Sequence, residues 1–342
     1  MNVCVICDSP LNGRECIIEN IPVYQGCVDT PIEDDIIQDM HWKECDVCST
    51  IQIINLPREE DVYLKGHAAG IGKVWEDHNE QFIRFIEKNK PVRISEIGGG
   101  SGDLARMSSI EWRMYEPHPP NEISTYRDID FIRDFYSHNN ARESIVFSHV
   151  LEHLRFPKQM ISDIYSSDTR KIFLAWPQLD KWVEDGIPGA INYEHFFYCT
   201  YETLIEFFST NGFKLQDKED FENHSHFLCF TKSEKTSELF SQNKSNFIKV
   251  ENFFRKIREI KIEKPSYFMP ASIYSQYYIL QNPELCLGVL DNSSDKHGKR
   301  LYGTNAIVQP PTNIDLKNNN VVVSGPHKKE ILDGLKRLQE HS

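Results

Sequence analysis

The chain has 342 residues, of which 39% are hydrophobic and 11% are aromatic. This composition excludes an intrinsically disordered chain and is enough for two or three domains of about 150 residues each. The net charge is −13, from 51 acidic and 38 basic residues. Because proteins that bind nucleic acid usually carry a basic surface, this balance predicts no nucleic-acid partner.

The sequence also predicts a cytoplasmic protein. It contains neither a run of about 18 apolar residues, which a membrane span requires, nor a basic start followed by an apolar segment, which is typical of a signal peptide. The nine cysteines are an odd number, which favours thiols and metal ligation over disulfides. We therefore expect no membrane partner. The oligomeric state stays open, and a monomer is compatible with the sequence.

Two cysteine pairs lie near the start of the chain, Cys4-x2-Cys7 and Cys45-x2-Cys48. Two intervening residues let both sulfurs of a pair reach one ion, and four thiolates close a tetrahedral structural zinc site. A redox Cys-x-x-Cys is the alternative, although it normally needs one pair placed before a helix. We predict a zinc-binding domain over residues 1–60, in which Zn²⁺ stabilises the fold.

The region 61–234 alternates between helical and strand patterns, which predicts an α/β domain with a mostly parallel sheet. The predicted helices cover 75–88 and 201–209, and the predicted strands cover 92–97, 113–116, 144–148 and 171–176.

Composition turns polar and charged between about 231 and 246, which predicts a domain boundary. We expect residues 235–342 to form a second small α/β unit of ordinary domain size. Its predicted helices cover 247–260 and 328–339, and its predicted strands cover 267–268, 286–290 and 321–323.

A glycine-rich turn, EIGGGSGD, begins at Glu96. Gly98, Gly100 and Gly102 let the backbone turn sharply and lie close to a ligand. Asp103 replaces the third glycine of a dinucleotide fingerprint, and no Gly-Lys-Ser/Thr follows, so the turn matches neither an NAD motif nor a phosphate-binding P-loop. The turn resembles the first motif of class I S-adenosylmethionine methyltransferases, which have a Rossmann-like sheet. That resemblance implies that Glu96, Gly98, Gly100 and Gly102 bind the cofactor. A glycine-rich turn without a ligand is the alternative.

Three further segments suit the same cofactor. Glu116 ends the next strand, and its carboxylate can accept both hydroxyl protons of a ribose. Asp134 is a candidate for contact with the adenine, and an ordinary surface aspartate is the alternative. Ser148 and His149 begin a segment, SHVLEHL, that resembles the post-strand segment of many methyltransferases, where the backbone lines the methionine end of the cofactor.

His195 is the candidate general base. Imidazole titrates near neutrality, and the adjacent carboxylate of Glu194 raises its basicity. A structural histidine is the alternative.

The order of these features resembles the three-domain nucleotide-sugar C-methyltransferases. That resemblance implies an N-terminal zinc-binding domain, a class I methyltransferase domain and a C-terminal domain that helps bind a nucleotide-linked keto sugar. It implies that His195 removes a proton from the carbon next to the ketone, with Glu194 as its acidic neighbour. The enolate carbon then attacks the methyl group of S-adenosylmethionine.

The resemblance also implies roles for residues outside the central motifs. Tyr63 falls where the family has tyrosines over the active site, and His67 is an equal candidate because the alignment there is loose. In the C-terminal unit, Lys296 and Tyr302 belong to a segment that resembles the family's D-x-N-x-x-K-x-G…G-T pattern. Lys296 suits a diphosphate as a point charge, and a solvated loop lysine is the alternative.

The chain departs from the family pattern at two places. Asn192, a candidate for contact with the substrate, replaces the tyrosine usual two residues before the glutamate, and a tyrosine follows at 193. A glycine-rich segment is replaced by ENHSH, in which His224 and His226 are candidates for polar contacts with the substrate. These departures concern the methyl acceptor more than the reaction. The first alternative is therefore an O- or N-methyltransferase of a sugar or other small molecule, followed by an RNA methyltransferase and a non-catalytic binding module.

Overall fold

The computed structural model describes residues 2–64, 72–117, 119, 129–185, 192–236, 240, 246–259, 261–325 and 328–341. His67 lies outside these residues, so its predicted role is not considered further.

The N-terminal part forms a small antiparallel sheet. Its elements are β1 (Glu15–Pro22), β2 (Cys27–Val28), β3 (Ile37–Glu44), β4 (Ile51–Ile53) and the short helix α1 (Glu59–Val62). β1, β3 and β4 pair in that order. Met40 and Trp42 are buried at alternate positions of β3, as expected for a strand with one face on the core.

The central part alternates strands and helices. Its elements are α2 (Lys73–Lys88), β5 (Arg93–Ile97), α3 (Asp103–Met107), β6 (Glu111–Tyr115), β7 (Asp130–Ile132), β8 (Ser144–Ser148), α4 (Pro157–Ser166), β9 (Lys171–Pro177), α5 (Leu179–Glu184), β10 (Phe197–Tyr198), α6 (Tyr201–Thr210), β11 (Phe213–Phe221) and β12 (Ser225–Lys232).

Seven of these strands form one sheet in the order β7-β6-β5-β8-β9-β12-β11. The first five are parallel, while β12 runs antiparallel to both β9 and β11. This is the strand order of a class I methyltransferase sheet, and it confirms the predicted Rossmann-like α/β fold. The order reverses between β5 and β8, so their carboxyl ends border the crevice where ligands bind in open α/β sheets.

The C-terminal part contains α7 (Phe247–Arg258), β13 (Ser266–Met269), α8 (Ile273–Gln281), β14 (Cys286–Leu290), β15 (Arg300–Leu301), β16 (Val308–Gln309), β17 (Asn320–Val323) and α9 (Lys328–His341). Four strands form a parallel sheet in the order β16-β14-β13-β17. Single 3₁₀ turns occur at Ile32–Asp34, His138–Asn140, Leu151–His153, Pro283–Leu285, Ser294–Lys296 and Pro311–Asn313.

Short strands link the three parts. β10 extends the N-terminal sheet by pairing with β4, although it lies within the predicted 61–234 segment. β15 of the C-terminal part pairs with β2. Beside this pair, Arg300 Nη1 lies 2.6 Å from Asp35 Oδ2 in an almost fully buried ion pair. The three parts are therefore joined by backbone hydrogen bonds between their strands.

Most of the predicted elements are confirmed with small changes at their ends. β8 and β14 have the predicted bounds, and α2 begins two residues before the predicted helix. We did not predict the hairpin of β11 and β12, because the charged side chains of β11 at alternate positions give a weak apolar signal. Among the described residues, no helix is both long and apolar enough to span a bilayer.

Candidate functional site

The glycine loop follows β5 and contacts the segment that follows β8. The Gly98 N–H donates to the Tyr115 carbonyl at 2.9 Å, which ties the loop to β6. Gly98 has a φ of +69°, and a Cβ there would lie 2.8 Å from Cγ2 of Val150. A glycine is therefore needed for the two segments to approach.

The crest of the loop borders open space beside a carboxylate. The Gly100 N–H donates to Glu116 Oε2 at 3.1 Å. A Cβ on Gly100 would meet no atom of the described residues within 4 Å. The carboxylate of Glu116 has acceptor capacity for more than this one bond, so it fits the ribose hydroxyls for which it was predicted. Gly102 ends the loop in a left-handed conformation and is the N-cap of α3.

Glu96 differs from the expectation that it contacts the cofactor. Its side chain lies beneath the loop, is 2% exposed, and accepts a hydrogen bond from Trp112 Nε1 at 2.8 Å. Burial raises the pKa of this carboxyl to about 7, and the nearby charge of Glu116 adds to the rise. Glu96 therefore supports the loop from the interior.

The other predicted cofactor residues lie at the same edge of the sheet. Ser148 is the last residue of β8 and pairs in register with Ala175 of β9. Asp134 follows β7 and is exposed, and its Oδ1 accepts from the Phe135 N–H at 2.7 Å. The proposed contact of Asp134 with an adenine stays a prediction.

The segment after β8 brings the predicted base and tyrosine together. The rings of His153 and His195 lie 4.7 Å apart in an edge-to-face arrangement. The Tyr63 hydroxyl lies 3.2 Å from His153 Nδ1. Glu152 joins this cluster, since one ligating atom each of Glu152, His153 and His195 lies within 4.8 Å of the others. We had not singled out Glu152 and His153, although both are part of the SHVLEHL segment.

The backbone at His195 is held on both sides. The Asn192 Oδ1 accepts from the N–H groups of Glu194 and His195 at 2.7 and 3.0 Å. The Phe196 N–H donates to the Glu152 carbonyl at 2.9 Å. Asn192 was predicted to contact substrate; instead it is 4% exposed, and its amide oxygen caps this turn. Asn192 therefore holds the backbone of the predicted base.

Glu194 lies close enough to two tyrosines to affect their ionisation. Burial is the main cause that raises the pKa of Tyr63, and the charge of Glu194 adds to it. The pKa of Tyr24 rises to about 12, chiefly through burial, with smaller contributions from Cys27 and Glu194. Both phenols are therefore protonated near neutral pH and can donate hydrogen bonds.

The two predicted C-terminal residues have different surroundings. Lys296 lines a cavity of about 660 Å³ together with Lys73 and Arg337, and its Nζ donates to Asp291 Oδ2 at 2.9 Å. Tyr302 was predicted to bind substrate, but it is 2% exposed, and its hydroxyl accepts from the Ile36 N–H at 2.5 Å. Tyr302 therefore joins the C-terminal part to the N-terminal part.

The two histidines of the ENHSH segment are separated in the fold. His226 Nδ1 lies 2.6 Å from Asp220 Oδ1, and its ring packs on that of Tyr201, so its contact with substrate stays a prediction. Its pKa is lowered, mainly by burial. His224 instead meets His78 and His149, with ring centroids 5.3 Å from each.

This histidine cluster was not predicted, because its members come from distant points of the chain. His149 adopts a left-handed backbone conformation, with a φ of +53°, and its N–H donates to the Ala175 carbonyl. Burial, together with the charge of His149, lowers the pKa of His78 to about 3.

The four predicted metal ligands lie together. The Sγ atoms of Cys4 and Cys48 are 3.6 Å apart, those of Cys7 and Cys45 are 3.5 Å apart, and all four lie within 4.8 Å of one another. A tetrahedral Zn²⁺ with bonds of about 2.3 Å holds its sulfurs about 3.8 Å apart, so the cluster fits the ion. Hydrogen bonds from the Cys4 and Cys48 thiols lower the pKa of Cys45 to about 7.

Comparison with known proteins gives no match to any protein-family model or curated protein. Among solved structures, the chain is similar to human N-acetylserotonin methyltransferase in complex with SAM, at 14% identity and a TM-score of 0.41, over 47% of this chain and 53% of that one. It is also similar to magnesium protoporphyrin IX methyltransferase from Synechocystis PCC 6803 with bound SAH, at 14% identity and a TM-score of 0.36, over 49% and 90% of the two chains. A third similar structure is TnmH, at 7% identity and a TM-score of 0.39, over 47% of this chain and 55% of that one. The matches thus span about half of this chain, and about half of two of those proteins.

Proposed function

We propose that this protein is an S-adenosylmethionine-dependent methyltransferase that methylates a nucleotide-linked keto sugar on the carbon next to the ketone. One observation carries the proposal. Residues 149–153 contact the glycine loop through Val150 and the predicted base through His153. A cofactor held by the loop and a substrate proton facing His195 would therefore be neighbours at one edge of the sheet.

The residues around the loop fit the cofactor. Glu116 would hold the ribose hydroxyls, and the space beside Gly100 would admit the nucleoside. S-adenosylmethionine, when bound, supplies an electrophilic methyl group on a sulfonium.

His195 would accept the proton from the substrate carbon. The electron pair of that C–H bond would then be available for a new C–C bond to the methyl group that the cofactor would supply, with a neutral thioether as the by-product. Tyr63, whose pKa is raised by burial, remains a hydrogen-bond donor for the developing enolate oxygen. Asn192 would keep His195 in place by binding its backbone N–H.

The cavity beside the C-terminal sheet supports a nucleotide-linked substrate. Its volume of about 660 Å³ lies in the range typical of ligand pockets. Three cations line it, Lys73, Lys296 and Arg337, together with two acids, Asp291 and Glu330. Lys296 pairs with Asp291, and Lys73 pairs with Asp77 outside the cavity. The one positive charge in excess at the lining is the support for an anionic group such as a diphosphate.

An O- or N-methyltransferase is the second candidate. Its support is that the chain has Asn192 where the sugar C-methyltransferases have a tyrosine. The neighbouring Tyr193 does not take that place, because its hydroxyl donates to the Gln38 carbonyl of β3 at 3.2 Å. If the acceptor is a hydroxyl or amine, His195 would deprotonate it directly.

Binding and product analysis test the proposal. Calorimetry should show S-adenosylmethionine binding, and absence of binding would reject every methyltransferase version. A panel of nucleotide-linked sugars incubated with the ¹³C-methyl cofactor should yield one product heavier by one labelled methyl group. Carbon NMR then assigns that methyl to carbon, oxygen or nitrogen, which separates the two candidates.

A substitution tests the base. His195→Gln should lower kcat at least about 100-fold, because general-base catalysis contributes about that factor or more. Cofactor affinity should stay unchanged, since the side chain acts on the substrate. His41→Gln is the matched control, because His41 pairs with Glu15 on the N-terminal sheet. Near-normal turnover of His195→Gln would remove it from the mechanism.

A further inference from the structure

The proposed methyl-transfer step does not use the side chains of the three-histidine cluster, although the backbone of His149 is predicted to line the cofactor site and His224 is a predicted substrate contact. The members of the cluster come from α2 (His78), the segment after β8 (His149) and the turn between β11 and β12 (His224). Their ring centroids form a nearly regular triangle with sides of 5.2, 5.3 and 5.3 Å. One ring nitrogen of each lies within 4.8 Å of the other two. Three imidazoles are therefore gathered around one point.

The hydrogen bonds leave an acceptor lone pair in the interior of this cluster. His78 Nδ1 lies 3.0 Å from Asn79 Oδ1, and an amide oxygen only accepts, so His78 carries its proton on Nδ1. Its Nε2 is buried and has no hydrogen-bond partner among the described residues. His78 as a whole is 0% exposed. An unpaired buried polar atom of this kind destabilises the fold unless a partner binds there.

Ser225 orients the other two rings. Its Oγ lies 2.8 Å from His149 Nε2 and 2.7 Å from His224 Nδ1. Because a hydroxyl has one proton, it donates to one ring and accepts from the other. Glu152 Oε1 lies 3.5 Å from Nδ1 of His149, on the side of His153 and His195. Side chains that fix ring orientation in this way are typical around metal-binding histidines.

Aromatic rings enclose the cluster. Trp75 lies 4.8 to 5.1 Å from all three imidazoles and covers one face of the triangle. Trp182 packs on His149 and His224. The rings restrict the histidine side chains, so little reorganisation is needed to bind an ion.

We propose that His78, His149 and His224 bind one divalent transition-metal ion of the Zn²⁺ or Co²⁺ type. Imidazole nitrogen is a preferred ligand of these ions, whereas Mg²⁺ and Ca²⁺ prefer oxygen. Three protein nitrogens leave one tetrahedral position for water. This site is distinct from the cysteine cluster in both ligand chemistry and place in the fold.

Cobalt titration of the full-length protein tests the site. Protein whose cysteine cluster already holds zinc should take up one further Co²⁺ per chain. Binding should quench tryptophan fluorescence with the same stoichiometry, because Trp75 and Trp182 lie against the ligands. The readout is independent of methyl transfer, so it can fail or succeed separately from the proposed function.

Phenylalanine substitutions provide the contrast. His78→Phe keeps an aromatic ring and removes one ligand, so we expect the affinity for the added Co²⁺ to fall at least about tenfold. Loss of a group that only orients a ligand already lowers metal affinity about 10- to 100-fold. His224→Gln should do the same from the solvent side of the cluster if His78→Phe does not fold. His226→Phe, in the same segment but bonded to Asp220, should bind Co²⁺ normally.

The site is rejected if the wild-type protein, with zinc in its cysteine cluster, takes up no further Co²⁺ or Zn²⁺. It is also rejected if the two cluster variants bind the second ion as tightly as His226→Phe does, because the ion would then be held elsewhere.

Discussion

The buried carboxyl of Glu96, beneath the glycine loop, makes the free energy of unfolding depend on pH. Its pKa rises from 4.5 to about 7 because the carboxyl is buried, so the folded protein keeps a proton that the unfolded chain releases. Its contribution to stability is therefore fully present below about pH 4.5 and is lost as the pH rises through about 7. The shift corresponds to about 3 kcal/mol.

We expect Glu96→Gln to flatten this part of the stability profile. Glutamine keeps the acceptor for Trp112 and cannot ionise. The variant should match the wild type at about pH 4 and exceed its free energy of unfolding by up to about 3 kcal/mol at pH 8. Urea denaturation at both values measures the difference, with the exposed Glu263→Gln as control. An identical pH dependence in wild type and Glu96→Gln would contradict the assignment.

Asn192 illustrates a polar residue whose role depends on its partners. Asparagine at this position suggested a substrate contact, yet its amide oxygen accepts two backbone N–H groups and shapes the turn that carries His195. A short side chain that binds the backbone two and three residues later is typical of asparagine in turns. The structure thus gives Asn192 a role in holding this turn, and its contact with substrate stays a prediction.

At the scale of elements, the loop after β5 and the segment after β8 define the site together. The loop needs Gly98 because Val150 occupies the space where a side chain would be. Gly100 has no such neighbour among the described residues, so its open side is available to a ligand. Both segments end parallel strands beside the point where the strand order reverses, which places them at one crevice.

Gly100→Ala should separate ligand binding from folding. The methyl group would enter the open space beside Glu116, so we expect the Kd for S-adenosylmethionine to rise at least about tenfold, equivalent to about 1.4 kcal/mol. Gly298→Ala is the matched control, because Gly298 also has a positive φ and also has open space around it. Both variants should lose similar stability from backbone strain. Unchanged cofactor affinity in Gly100→Ala, measured by calorimetry, would contradict this location.

On the scale of the whole molecule, the N-terminal sheet is hydrogen-bonded to the segment that carries His195, the predicted base. β10 follows His195 almost directly and pairs with β4, while the Ile53 N–H donates to the Phe196 carbonyl at 3.0 Å. β4 in turn follows the second cysteine pair within three residues. A short run of backbone thus connects the cysteine cluster to the N-terminal sheet and to His195.

Cys45→Ser should therefore affect more than metal content. We expect loss of bound zinc and a fall in Tm of more than about 5 °C, because a structural zinc ion contributes several kcal/mol and each kcal/mol corresponds to about 2–4 °C. Near-UV circular dichroism should change as the sheet loosens. Cys286→Ser lies outside the cluster and should retain zinc and Tm. Retained zinc in Cys45→Ser would contradict the four-cysteine site.

The sequence by itself determined the α/β character of the central and C-terminal parts, the glycine loop and the cysteine pairing. These features depend on apolar period, glycine position and ligand spacing, which act within windows of about 11–18 residues or through a fixed motif. Only the tertiary structure decided which side chains meet. It turned Tyr302 towards Ile36, separated His226 from His224, and gathered His78, His149 and His224 around one point. Those contacts join residues far apart in the chain, and such contacts are set by how the sheets and helices pack rather than by any local pattern.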